Sequence, residues 1–196
     1  MTEHRRGNRR LDPMSRLRFA TARALYETFP VAVTKLKVAP TDASPVAFLK
    51  KLSSDEKLDD AVTFCAFLLP RREAVWWACG SARSFLGAGV PSPADGLDAA
   101  EAWVHEPNEQ RRLIALDVGS RGDDNDALTW LARAAGWAGG TLTVDPKKPV
   151  PVPQYLTPRA ARIAILLSAH GLAPAERAPR MRARIAEGIK LAEGGP

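Results

Sequence analysis

The chain has 196 residues, 45% of them apolar and 26% charged, a balance typical of a globular protein that excludes disorder throughout. Two cysteines are too few for a disulfide-built scaffold, and no run approaches the roughly eighteen apolar residues of a membrane span. The net charge of +6 is concentrated at one end: among residues 1–23, seven arginines face only Glu3 and Asp12.

Residues 1–12 are polar and aperiodic and are expected to form a flexible basic arm, with a single helical domain over 13–196. The pairs Arg5-Arg6 and Arg9-Arg10 invite a twin-arginine export reading, but "LDPMSRLRFATAR" follows instead of an apolar segment. With both cysteines inside apolar stretches and read as reduced, the expected compartment is the cytoplasm. Abundant alanine, arginine and proline with scarce lysine suits a bacterial source.

From Pro13 a helical pattern runs to about Pro30, with Leu17, Thr21, Ala24 and Leu25 on one face. The next stretch, "VAVTKLKVAP", fits either a short strand or a helical turn anchored by Leu36. A recurring punctuation then takes over, in which a proline or N-capping residue precedes each helical run. Helix starts are expected at Ser44-Pro45, at Ser54 with Asp55 and Glu56, and at Pro70. Further starts fall at Ser92-Pro93 with Asp95, at Pro107, at Asp123, at Thr157-Pro158 and at Pro174. The expected fold is all-α: seven to eight short helices packed as antiparallel hairpins. Residues 145–157, rich in proline, predict an extended strap before a C-terminal helical pair over 157–193. The Pro-x-x-Pro spacing there is read as a rigid connector, not as a ligand for an SH3 domain.

"PRREAVWWACGSAR", residues 70–83, carries nine uncharged residues around Trp76 and Trp77. Adjacent helical residues point about 100° apart, so the two indoles occupy different strips. Trp77 aligns with Ala74, Ala78, Ser81 and Phe85, and Trp76 with Arg72, Glu73, Gly80 and Arg83. Small or apolar residues nearly all round predict a helix enclosed by others. Trp76, Trp77, Cys79, Trp103, Trp130 and Trp137 are accordingly assigned to one core. Arg71 and Arg72 oppose the helix dipole at its N-terminus and call for compensation by Asp59, Asp60 or Glu73, or else by an acidic partner.

Catalytic and cofactor chemistry finds no foothold. His4, His105 and His170 are scattered, no zinc or phosphate-loop spacing occurs, and "RGDDND" at 121–126 lacks the ligand pattern of a calcium loop. No catalytic residue, metal or cofactor is therefore assigned, and the chain is read as not an enzyme.

The strings "AVTFCAFLLPRREAVWWACGSAR", "AEAWVHEPNEQRR", "WLARAAGWAGGTL" and "LTPRAARIAILLSA" resemble an uncharacterised bacterial family of all-helical proteins with a Pro-Arg-Arg-Glu-Ala-Val-Trp-Trp-Ala-Cys hallmark. The resemblance covers roughly residues 15–195. Members sometimes lie near type VI secretion genes, which implies an adaptor or accessory role and no catalytic residue. The expectation is a non-enzymatic cytosolic protein-interaction module with no membrane partner, its partner-binding residues being Arg5, Arg6, Arg9, Arg10, Arg71 and Arg72. The alternative is a nucleic-acid-binding protein that uses the arginine-rich arm, with affinity falling steeply as salt rises.

Overall fold

A computed structural model describes residues 18–87, 94–142, 147 and 149–194, apart from the side chain of Val33. The basic arm, the start of the first expected helix at Pro13 and part of the proline-rich strap lie outside the described residues. Those described form ten helices: α1 (Ala22–Thr28), α2 (Pro30–Val33), α3 (Pro45–Ser54), α4 (Leu58–Leu68), α5 (Arg71–Leu86), α6 (Asp95–His105), α7 (Glu109–Arg121), α8 (Ala127–Gly136), α9 (Leu156–His170) and α10 (Pro174–Ala192). The fold is all-α, as expected, with more helices than the seven to eight foreseen.

Local chemistry explains most of the boundaries. Proline occupies the first turn of α2, α3 and α10, where its missing N–H costs nothing. Ser44, Asn108 and Asp126 accept backbone N–H bonds as N-caps of α3, α7 and α8. Three expectations are corrected, the first being Asp123, since α8 begins at Ala127 with Asp126 as its N-cap. Thr21, placed earlier on a helical face, is the N-cap of α1, its Oγ1 accepting from Ala24 N at 3.1 Å. Ser54, Asp55 and Glu56 do not start α4 but end α3. Glu56 adopts φ 58°, and Lys57 N–H bonds back to Leu52 O at 2.9 Å, closing the turn that usually places glycine in this left-handed position. A glutamate there sends no stop signal, and its side chain bonds Arg182 on α10.

Packing departs from a chain of hairpins. α6, α7 and α8 pack on one another, and α3 packs on α4, but α4 and α5 diverge at the extended Leu69 and Pro70. α9 lies against α4, α5 and α8. α10 touches α9 only lightly and returns to cover α3, α4 and α5. At the strap, Leu142 N–H bonds Val150 O and Val152 N–H bonds Gly140 O, around an isolated antiparallel bridge between Thr141 and Pro151.

The core is continuous. Near the N-terminal helices it is built from phenylalanines: Phe48 and Phe64 meet edge-on at 4.9 Å between centroids, and Phe29 and Phe67 at 5.4 Å. Where α10 crosses α4 and α5, Trp77 is fully buried and its Nε1–H donates to Arg184 O at 2.7 Å. Gly188 lies directly above. A β-carbon there would fall against Cys65 Sγ and 3.1 Å from the Trp77 ring. Cys65 and Cys79 are free and buried, and burial pushes both thiols well above their usual range.

Arginines close the carboxyl ends of five helices. Arg18 donates to Leu69 O after α4, Arg180 to Ser84 O of α5, and Arg72 to Val104 O of α6. Arg133 donates to Gly119 O of α7 at 2.8 Å, and Arg112 to Gly136 O of α8 at 2.7 Å. Beyond Gly136, Trp137 O accepts from Thr157 Oγ1 and Ala138 O from Arg71 Nη1. The last carbonyls of a helix lack partners and carry its negative dipole end, so a guanidinium there satisfies both at once.

Two substitutions test this packing. Gly188→Leu forces α10 off Trp77 and Cys65 and should cost about 1–3 kcal/mol of unfolding free energy, read from the urea midpoint. Arg112→Leu strips Gly136 O of its charged donor and should cost about 1–3 kcal/mol. Arg112→Lys should recover only part of the loss, because an ammonium cannot also hold Glu109 in the present bidentate pair.

Candidate functional site

α5 packs against α6, α8, α9 and α10. Ala74, Val75, Trp77, Ala78, Cys79, Ser81, Ala82 and Phe85 are buried by these neighbours. The remaining strip of α5 carries Arg72, Trp76, Gly80, Arg83 and Ser84, and it faces outward. Trp76 is 50% exposed. It is not a core residue, and the expectation of an all-enclosed helix is corrected here. The cause is visible at the ends of the strip. α6 holds it through Arg72 to Val104 O at 2.8 Å and through the bidentate pair of Arg83 with Glu101 at 2.6 Å. α10 approaches from the other side, with Arg180 on Ser84 O and Arg184 over Gly80. Neither helix extends across the indole between them.

The other assigned core residues divide into two groups. Trp77, Cys79 and Trp103 are buried. Trp130 and Trp137 pack against the core from its edge, 6.3 Å apart and edge-on. Trp130 donates to Asp124 O and lies under the Arg133 guanidinium, 4.6 Å from the ring centre.

The candidate binding arginines also separate. Arg5, Arg6, Arg9 and Arg10 lie outside the described residues. Arg71 and Arg72 are compensated differently from the expectation: Asp59 pairs with Arg177 at 2.7 Å, and Asp60 accepts from Lys37 N. Their guanidinium groups instead donate to Ala138 O and Val104 O, because the carboxyl ends of α8 and α6 abut the start of α5. Arg71 is half-buried in that junction, whereas Arg72 is exposed.

Arg184 escaped the sequence reading because nothing near it in the chain indicates its surroundings. It reaches α5 across more than a hundred residues, with Nε 3.4 Å from Ser81 Oγ. Burial pushes its pKa down, Glu187 partly offsetting the shift. The one signal available was Gly80, a glycine in mid-helix, whose missing side chain leaves room for this guanidinium.

An open groove of about 400 Å³ lies elsewhere, between the start of α6, the end of α7 and the start of α8. Two of its charged side chains are already engaged. Asp126 caps α8 and accepts from Thr129 Oγ1, and Arg121 pairs with Asp117. Among the described residues no group of three or more His, Cys, Asp or Glu side chains could hold a metal ion. No helix among them is long and apolar enough to cross a membrane.

No curated protein and no solved structure matches this chain. One family model does, described as a family of unknown function, DUF6931, over residues 48–192. The matched region runs from within α3 to the last residue of α10 and includes the outward strip of α5. With about three-quarters of its length covered, the chain belongs to this uncharacterised family.

Proposed function

We propose that this chain is a non-enzymatic protein-interaction module, a cytosolic adaptor or accessory of a bacterial, type VI-like secretion machine, and that it meets its partner through the outward strip of α5. One observation carries the reading: an indole left half-exposed on a helix whose other faces are buried. Tryptophan and arginine are the side chains most enriched among residues that dominate binding energy at protein interfaces. Here Trp76 stands with Arg72 and Arg83 on one strip. The secretion context is supported by the resemblance of the Pro70–Cys79 segment and its companion strings.

The arginine content of the folded body supports contact with protein more than with nucleic acid. Most of its guanidinium groups cap helix ends or pair with acids, as in Arg23 with Asp42 and Arg182 with Glu56. A phosphate-tracking surface needs a run of unengaged cations.

A photo-crosslinking residue placed at position 76, in the native host, tests the reading. A discrete adduct containing a secretion component should form from position 76 and not from position 51, an exposed site on α3. Trp76→Ala should lower the thermal midpoint far less than truncation of buried Trp77, since half of the Trp76 surface is already exposed. No adduct from position 76, or the same adducts from both positions, would refute the proposal.

A further inference from the structure

The arginines around Trp76 specify what chemistry the α5 strip accepts. At 1.5 Å per residue, Arg72 and Gly80 lie about 12 Å apart along the helix, with Trp76 midway. Helical side chains lean toward the amino end, which carries the indole over the turn beginning at Arg72. On the other side α10 supplies Arg184: a β-carbon on Gly80 would lie 3.0 Å from Arg184 Nη2, so the guanidinium fills the space that a side chain would take.

Neither Arg72 nor Arg184 has a carboxylate within 4 Å among the described residues. Arg72 uses Nε on Val104 O, and Arg184 has the long contact to Ser81 Oγ. The other charges nearby are matched. Arg83 holds Glu101, Arg180 holds Glu176, and Glu187 holds Lys190. Glu73 acts on Arg18, which Arg71 also approaches. Two positive charges with no carboxylate within 4 Å therefore bracket a half-exposed indole, Glu187 acting on Arg184 from farther off.

We infer that this strip binds an acidic segment of a partner protein, with carboxylates meeting Arg72 and Arg184 and an apolar side chain between them covering Trp76. The inference rests on the proposed interaction role of the α5 face. The arm of this chain is excluded as the occupant by its charge, since Arg5, Arg6, Arg9 and Arg10 outnumber Glu3 and Asp12. A nucleic acid would find two cations without close carboxylates instead of a track of them.

The full chain, immobilised and panned against a displayed library of random 12-residue peptides, tests the inference. Recovered sequences should carry Asp or Glu on both sides of an apolar residue. Trp76→Ala should lower recovery about ten-fold. Arg72→Gln and Arg184→Gln should each lower it about five-fold, while Arg184→Lys retains most of it. Should Arg184→Gln also lower the thermal midpoint, exposed Arg72 carries the comparison. Neutral or basic consensus sequences, no enrichment, or enrichment indifferent to Arg72→Gln would overturn the inference. So would competition by a 12-nucleotide oligo-dT, or a dimer in sedimentation that Trp76→Ala dissolves. If crosslinking from position 76 still yields a partner while panning fails, the interaction role stands and the acidic partner falls.

Discussion

The crossing of α10 over α4 and α5 organises this fold. Trp77 donates its indole N–H to the backbone of α10 at Arg184, and Gly188 lets that helix descend until it touches both the ring and Cys65. A buried indole without an acceptor would destabilise the core, and a wider residue at 188 would lift the helix from it. The same contact sets the position of Arg184 on the outer side of α5. One helix thus seals the core and completes the surface next to Trp76.

Arginine links the remaining parts. Five helix ends are closed by guanidinium groups from other elements, and the junction after α8 takes Arg112, Thr157 and Arg71 on three successive carbonyls. Such bonds bring a fixed positive charge to the negative end of a dipole in a partly desolvated setting, where the attraction is stronger than at an open surface. They account for much of the basic composition without a basic face. The surplus that remains beside Trp76 is small and local.

Much of the helical layout was legible because its signals are local. Pro45 and Pro174 act within one turn of the helices they start, and the strips of α5 follow from spacing alone. Several of the misreadings share a physical cause, a neighbour distant in the chain. Glu56 holds a position that usually reports itself as glycine, and its side chain bonds Arg182 on the last helix. For Arg71 and Arg72 the sequence offers Asp59, Asp60, Glu73 or an acidic partner, whereas the carbonyls that take them belong to the ends of α8 and α6. Trp76 was counted with Trp77 because both sit among alanines. The charged ends of its strip, Arg72 and Arg83, were visible and marked the side that faces water.

The reach of α10 has a consequence for synthesis. Trp77 and Arg184 are separated by 107 positions, so a nascent chain that has released α4 and α5 from the ribosome still lacks the segment that roofs Trp77 and Cys65. Until the last helix emerges, the tunnel-tethered intermediate presents a greasy, thiol-bearing trough to its surroundings.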